Sequence, residues 1–409
     1  MVKRKNSKGT HTAVDLDVVA SFYLDEDYGG VDPEQTVVIF LRGGDESLDS
    51  VNIEGLTLID RGRGPLDHHG RQKLNSRETS ASLVAKKLGV AEDKYVHQLV
   101  GLVERKDLQG ISLPFDVADI VSCIQKTREL RELNDEEKLK LGIRITRAAM
   151  EFRKRGLTRD NQLCQEIIVD FLEERKSMKV PEKFQQYFDK LENPKFERPF
   201  DLVEILLGEK AQHGEEEAVR LVKTLLDIVF NDSVKFYLAE KEFREAEMKI
   251  AIGNILIVAH GTNNEKFNPA ARAGGASIII QRDSAGLTQI SFNTGNPDIN
   301  DELTNRLAAM IRMEECLVQG RTIPDFDLGS SEWVCEIPEW YYYKAPALGN
   351  KKPGRFIMNG SLTAPDVPPS KISLETLFYI AQCAVRYHPN FNWQRWMAER
   401  ITYYLNNKN

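Results

Sequence analysis

The chain has 409 residues, 41% of them hydrophobic and 29% charged, as is typical of a globular protein with two or three domains. Its formal net charge of −7 argues against a protein that coats duplex nucleic acid without sequence preference. The five cysteines are widely spaced with no Cys-x-x-Cys pair, so neither a zinc ribbon nor a disulfide framework is expected. The basic N-terminus lacks the apolar core of a secretory signal, and no apolar run is long enough to span a bilayer. We therefore expect a cytoplasmic protein without a membrane partner.

The first segment combines one histidine with two aspartates, His11, Asp15 and Asp17. A loop of this composition can direct its side chains towards one centre. The alternative is that both aspartates stabilise the N-terminus of a helix that opens just after Asp17. Residues 2–7 are nearly all polar, so the first strand is expected to be very short or to lie at a sheet edge. No internal repeat is evident along the chain.

Strand and helix patterns then alternate. Residues 35–41 and 56–59 are nearly continuous apolar runs, which favour buried parallel strands. Residues 79–88 and 95–105 show helical spacing, and Gly89 supplies a helix stop. This alternation predicts an α/β fold with a doubly wound, mostly parallel sheet.

The stretch from residue 58 to residue 70 holds Asp60 directly after an apolar run and then the triplet Asp67-His68-His69. Carboxylate oxygens and imidazole nitrogens suit Mn, Fe, Zn or Mg, and the carboxyl ends of strands in open α/β sheets collect ligands. The alternative is a solvated polar turn after an edge strand.

Taken in order, four short motifs in residues 9 to 110 resemble the signature of the DHH phosphoesterase superfamily. This superfamily includes RecJ-type exonucleases, nanoRNases and family II inorganic pyrophosphatases. The sequence of residues 58–84 is particularly similar to that of the melanocyte-proliferating-gene-like branch of metal-dependent hydrolases. The residues that carry the resemblance are His11, Asp15, Asp17, Asp60, Asp67, His68, His69 and Asp107.

The resemblance implies two divalent metal ions, with Mn expected and Mg as the alternative. Asp60 would bridge them, and the other implied ligands are His11 and Asp15 for the first ion and Asp17, His68 and Asp107 for the second. Glu104, one helical turn from Asp107, is an alternative to it.

Two further roles follow from the same resemblance. His69 would contact a substrate phosphate oxygen, and Asp67 would orient the histidines. Two ions about 3.5–4 Å apart can activate a water and stabilise the attacking and leaving oxygens of a phosphoryl displacement, so no side-chain nucleophile is needed.

The rest of the chain divides into a helical region and an α+β region. Helical spacing continues from residue 113 to about residue 248, with separate helices expected at 216–230 and 233–249. A hairpin around residues 283–286, a helix at 300–318 and two final helices follow. We predict a DHH-type catalytic domain at 1–115, a helical connector at 116–247 and a smaller α+β substrate-binding domain at 248–409. The final helices are candidates for a homo-oligomer contact.

Arg272 and Arg282 flank strands of the third region and are candidates to hold a substrate phosphate, although arginines in such positions are commonly solvated. The Gly-Gly-Gly-His run of many family members is missing here. Tyr341 to Tyr343, with the nearby cations Lys351 and Lys352, are candidates to stack bases of a single strand or to cover a sheet.

The resulting hypothesis is a metal-dependent phosphohydrolase. It would hydrolyse phosphodiester or phosphomonoester bonds, with short single-stranded oligonucleotides or nucleotides as substrates. The alternatives are a pyrophosphatase-like phosphoanhydride hydrolase and a non-catalytic nucleotide sensor on the same fold.

Overall fold

A computed structural model describes most of the chain. The chain divides into two compact units, Met1–Val234 and Lys235–Asn409. Both units combine helices with a sheet, so the chain is mixed α/β. None of the described helices is long and apolar enough to cross a membrane. The predicted three-part division at residues 115–116 and 247–248 stays a prediction. The described residues are 6–11, 14–41, 56–60, 65–67, 78–126, 134–176, 179–193, 195–324, 328–330, 337–344, 354–359, 368–386 and 393–406.

The first unit contains a parallel sheet with β1 in the centre. Its strands are β1 (Asn6–His11), β2 (Thr36–Leu41) and β3 (Leu56–Leu58), in the order β2-β1-β3. The two strands predicted from apolar runs are therefore confirmed. The expectation of a very short or peripheral first strand is wrong, because β1 has six residues and pairs on both sides. A central position depends on backbone hydrogen bonds, which a polar segment forms as well as an apolar one.

Strand β2 is less buried than its sequence predicts. Val38 and Phe40 pack against the core, but Val37 is 41% exposed and Ile39 is 40% exposed. The expectation that this strand is buried on both faces is wrong. Strand β2 lies at an edge of the described sheet, and only one of its faces packs against the core. The doubly wound arrangement stays a prediction.

Helices form most of the described part of the first unit, and one apolar core joins them. The predicted helical region is confirmed, but the two helices expected at 216–230 and 233–249 are one helix that ends at Glu245. Asn231 and Asp232 favour turns, yet the helix continues through them. The helices are α1 (Leu16–Asp27), α2 (Ser80–Lys87), α3 (Lys94–Gln109), α4 (Val117–Lys126), α5 (Asp135–Lys154), α6 (Asn161–Glu173), α7 (Glu182–Leu191), α8 (Leu202–His213) and α9 (Glu215–Glu245), of which residues 235–245 belong to the second unit.

Two turns of matching sequence lie side by side in the first unit. Pro114-Phe115-Asp116 precedes α4, and Pro199-Phe200-Asp201 precedes α8. Both phenylalanines have a positive φ, 63° and 58°, and the two aspartates form an isolated antiparallel bridge. Each turn is followed four residues later by an acid that accepts a hydrogen bond from the phenylalanine N–H. The structure thus reveals two copies of one local turn motif. Each copy spans six residues, 114–119 and 199–204, and the two lie 85 residues apart in the sequence, which hides the match.

The second unit is built on a six-stranded sheet. Its order is β4-β5-β6-β7-β9-β8, and every described pair is antiparallel except β5 with β6. The antiparallel pairing of β6 with β7 confirms the predicted hairpin at residues 283–286. The strands are β4 (Met248–Ile252), β5 (Ile255–Gly261), β6 (Ile278–Arg282), β7 (Thr288–Phe292), β8 (Tyr341–Lys344) and β9 (Arg355–Asn359).

Helices pack on both faces of this sheet. One face forms a core with α11 (Asp301–Val318), α12 (Leu374–Arg386) and Trp396 of α13 (Trp393–Asn406). On the other face, α10 (Phe267–Ala273) packs with Phe243 against β5 and β6. The helix predicted at 300–318 and the two final helices are confirmed.

A close contact between two helices of the first unit is testable at Gly208. A Cβ atom at this position of α8 would overlap the carbonyl oxygen of Ala148 on α5. Gly208→Ala should therefore lower the free energy of unfolding by about 1–3 kcal/mol, because a backbone atom cannot move aside as a side chain can. Denaturant unfolding followed by circular dichroism measures the change.

Gly101→Ala is the matched control. Gly101 is an exposed residue inside α3 with no atom near its Cβ position. This variant should gain about 0.4–1 kcal/mol, because alanine has less freedom in the unfolded chain. If the two substitutions changed the free energy of unfolding equally, the packing of α5 against α8 would not depend on the close approach at Gly208.

Candidate functional site

The candidate site lies at the carboxyl ends of the parallel strands of the first unit. The chain passes from β1 to β2 on one side of β1 and later returns to β3 on its other side. Strand order therefore reverses between β1 and β3, and open α/β sheets bind ligands at such points. The aspartates predicted from the sequence follow these two strands, Asp15 and Asp17 after β1 and Asp60 and Asp67 after β3.

Asp15 caps helix α1. Its Oδ1 accepts a hydrogen bond of 3.0 Å from the N–H of Val18, and the helix begins at Leu16. The sequence left two roles open for Asp15, metal binding and stabilisation of a helix N-terminus. The structure shows the second of these roles. The helix begins one residue before Asp17, so the expected start just after Asp17 is wrong.

Asp17 binds a different helix from its own. It is only 2% exposed, and its two oxygens accept hydrogen bonds from the N–H groups of Ser80 (2.8 Å) and Ala81 (2.7 Å). These amides are the first of α2, where unpaired N–H groups and the helix dipole both favour a negative charge. Asp17 thus fastens α2 to α1 across more than sixty residues of sequence.

Asp60 is linked to Asp17 through Ser80. Asp60 is 2% exposed, and its Oδ1 accepts a hydrogen bond of 2.8 Å from the hydroxyl of Ser80. The Asp60 N–H donates to the carbonyl oxygen of Leu66 at 3.0 Å, which links these two described residues after β3. We call Asp17, Asp60 and Ser80 the aspartate–serine cluster.

The backbone of Asp60 is in the left-handed region, with φ of 56°. Aspartate tolerates this conformation better than most residues, but it still costs free energy, and such residues concentrate at functional sites. Among the described residues, only Phe115 and Phe200 are other non-glycine residues with a positive φ, and both belong to the repeated turns.

The remaining predicted ligands are described in part. Asp67 is 2% exposed, while Asp107 is partly buried near the C-terminal end of α3, one turn after Glu104. His68 and His69 lie outside the described residues, and only the backbone of His11 is described, as the last residue of β1.

Within the described ranges, no three His, Cys, Asp or Glu side chains form a group that could hold a metal ion. The described carboxylates alone are therefore insufficient for the expected pair of ions. Such a centre would also need the imidazoles of His11 and His68, so the ligand set stays a prediction.

The predicted phosphate ligands of the second unit have different environments. Arg282 ends β6, and its Nε donates a hydrogen bond of 2.8 Å to the hydroxyl of Thr288. Burial lowers the pKa of Arg282, and the carboxylates of Glu315 and Glu375 act in the opposite direction. Arg272 lies in the last turn of α10 and is exposed. Their role as phosphate ligands stays a prediction.

Ser80 and the N-terminus of α2 are site components that the sequence analysis missed. A signal for them exists, because Thr79 and Ser82 form a capping box that marks the start of α2. A helix start shortly after the Asp-His-His triplet indicates a group of amides available to an anion. What the sequence does not indicate is that the anion is Asp17.

The role of Asp17 predicts a stability effect. Asp17→Asn should lower the free energy of unfolding by about 1.5–3 kcal/mol, because a charged acceptor is lost and the new NH₂ group faces an N–H donor of α2. Denaturant unfolding of purified protein gives the value.

Asp93→Asn serves as its control. Asp93 is exposed and caps α3 through Oδ1 alone, which accepts from the amides of Tyr95 and Val96. Asparagine caps a helix as well as aspartate does, so this change should stay within about 0.5 kcal/mol. If the Asp17 and Asp93 variants lost the same stability, Asp17 would be an ordinary cap.

Comparison with known proteins leaves the family open. The chain matches no model of a known protein family, and no curated protein matches it significantly. The resemblance to DHH phosphoesterases therefore rests on the residues of the motifs in the segment 9 to 110 and on the order of those motifs.

Proposed function

We propose that the chain is a metal-dependent phosphohydrolase that cleaves phosphodiester or phosphomonoester bonds in short single-stranded oligonucleotides or nucleotides. The observation that carries the proposal is the aspartate–serine cluster. It joins two buried carboxylates and a helix N-terminus at the carboxyl edge of parallel strands. The cluster also lies in the part of the chain that bears the DHH-like motifs.

A divalent cation would complement the two carboxylates of the cluster. Two carboxylates joined through one serine repel each other, and burial makes this repulsion stronger because less water screens it. A divalent ion offsets such repulsion, and in phosphoryl transfer it supplies a Lewis acid for the phosphate and a stronger water nucleophile. Mn is the expected ion and Mg the alternative.

The protein side chains would hold and orient the reactants. Asp17 is fixed by two backbone amides and Asp60 by a strained turn and the Ser80 hydroxyl, so neither carboxylate has to be ordered when a ligand binds. Such preorganisation is what hydrolysis by positioned groups requires. His69 and Asp67 keep their proposed roles, contact with the substrate phosphate and orientation of the histidines.

Asp60→Asn tests the proposal with little damage to the fold. Asparagine tolerates a positive φ, and its amide oxygen can still accept the Ser80 hydrogen bond, so the variant removes the charge and keeps the shape. Mn-dependent hydrolysis should fall at least about 100-fold, because residues that merely support metal ligands already contribute about 10–100-fold.

The assay compares five substrates with Mn²⁺ and with EDTA. They are bis-p-nitrophenyl phosphate, a 5′-labelled dinucleotide, single-stranded RNA, single-stranded DNA and pyrophosphate. Asp170→Asn, at an exposed position of α6, controls for the loss of one surface charge and should keep wild-type rates. Full activity in the Asp60 variant would refute the proposal. Preferred cleavage of pyrophosphate would identify the phosphoanhydride hydrolase instead, and nucleotide binding without cleavage would identify the sensor.

A further inference from the structure

Ser80 contacts both buried aspartates of the aspartate–serine cluster, and it uses a different group for each. Its N–H donates a hydrogen bond of 2.8 Å to Asp17 Oδ2, and its hydroxyl donates one of 2.8 Å to Asp60 Oδ1. Ser80 is 0% exposed and each aspartate is 2% exposed. The two hydrogen bonds therefore form away from bulk water, where such bonds are stronger than at the surface.

Only the contact with Asp60 depends on the side chain at position 80. Every residue except proline has a backbone N–H, and the N–H of Ala81 also binds Asp17, at 2.7 Å. An alanine at position 80 would therefore keep both hydrogen bonds to Asp17. A hydroxyl donor to Asp60 requires serine or threonine, so Asp60 explains why a hydroxyl residue stands at this position.

The start of helix α2 is provided by other residues. Thr79 and Ser82 form its capping box, in which Ser82 Oγ accepts from the Thr79 N–H at 3.0 Å and donates to the Thr79 carbonyl oxygen at 2.8 Å. A serine hydroxyl has a single proton to donate. Ser80 donates this proton to Asp60, twenty residues earlier in the chain.

A neutral hydroxyl is well suited to orient a carboxylate that binds a cation. The backbone of Asp60 is held by the bond of its N–H to the Leu66 carbonyl oxygen, and the Ser80 hydroxyl restricts the rotation of the carboxylate itself. Because the hydroxyl carries no charge, it leaves the negative charge of Asp60 in place, whereas a lysine or arginine would compete with a bound cation. Carboxylates that bind metal ions are commonly oriented by such a second hydrogen-bonding residue.

We propose that Ser80 is a positioning residue, whose hydroxyl sets the orientation of Asp60 for a divalent ion while its N–H helps to hold α2 on Asp17. The inference rests on the metal site of the proposed function. It does not depend on hydrolysis, because it concerns the binding of the ion alone.

The test measures equilibrium binding of Mn²⁺ to the full chain without substrate, with free Mn²⁺ followed by electron paramagnetic resonance. Ser80→Ala should raise the Kd for Mn²⁺ about 10- to 100-fold, which is the usual effect of removing a residue that orients a metal ligand. Ser80→Thr keeps the hydroxyl and should restore binding. Denaturant unfolding shows that each variant is folded.

Ser82→Ala is the matched control. Ser82 is 7% exposed and lies in the same first turn of α2, and its hydroxyl bonds with Thr79. Its removal should lower the free energy of unfolding, because the capping box is lost, and should leave the Kd for Mn²⁺ unchanged.

Wild-type affinity for Mn²⁺ in the Ser80→Ala variant would overturn the proposal. An equal loss of affinity in both alanine variants would also overturn it, because the effect would then come from the start of α2. If the wild type bound no Mn²⁺, the inference would fall together with the manganese site on which it rests. Binding that depends on Ser80 in a protein without hydrolytic activity would support the positioning role and count only against the proposed hydrolase.

Discussion

The first unit depends on one buried carboxylate, that of Asp17, which holds the first two amides of α2. Three parts of the chain meet there, because Ser80 also donates to Asp60 in the turn after β3. A carboxylate can be buried only where donors replace its water, and the unpaired N–H groups at the start of a helix are such donors. Each carboxylate oxygen has two lone pairs, so a structural hydrogen bond and a metal contact are compatible on the same oxygen.

A second set of buried acids holds the helical part of the first unit together. Phe115 and Phe200 have positive φ values, which cost about 1–3 kcal/mol each, and both rings are nearly fully buried. Burial raises the pKa of the carboxyl groups of Asp116 and Glu204. Hydrogen bonds from backbone amides lower both pKa values in part, as do the guanidinium groups of Arg105 beside Asp116 and Arg153 beside Glu204. Arg153 of α5 binds both Glu204 near the start of α8 and Gln98 of α3. The helices of the predicted connector are therefore packed with α3 of the predicted catalytic region in one core.

Local pattern was sufficient to predict most elements, because strand and helix periods depend on neighbouring residues. The failures concern contacts between distant residues. The polarity of residues 6–11 could not indicate a central strand, since pairing with β2 and β3 is decided by backbone groups. At the candidate site, Asp60 and Asp67 are each only 2% exposed, which the sequence did not indicate, since it left a metal site and a solvated turn open. An aspartate near the start of a helix can cap that helix, cap another helix or bind an ion, and its sequence context does not distinguish these roles. For Asp17 the role became visible only from its hydrogen bonds with the N–H groups of Ser80 and Ala81.

Strand β8 shows how the alternation of side chains decides which residues of an ambiguous sequence are exposed. Three consecutive tyrosines must alternate between faces, and the burial of Trp340 and Tyr342 on the core side leaves Tyr341 and Tyr343 outside. In the described sheet β8 is an edge strand, and an edge with outward aromatic rings invites pairing with a second copy of the chain. Lys344 ends β8 and opposes such pairing, because a charged side chain on an edge strand is costly to bury against another strand.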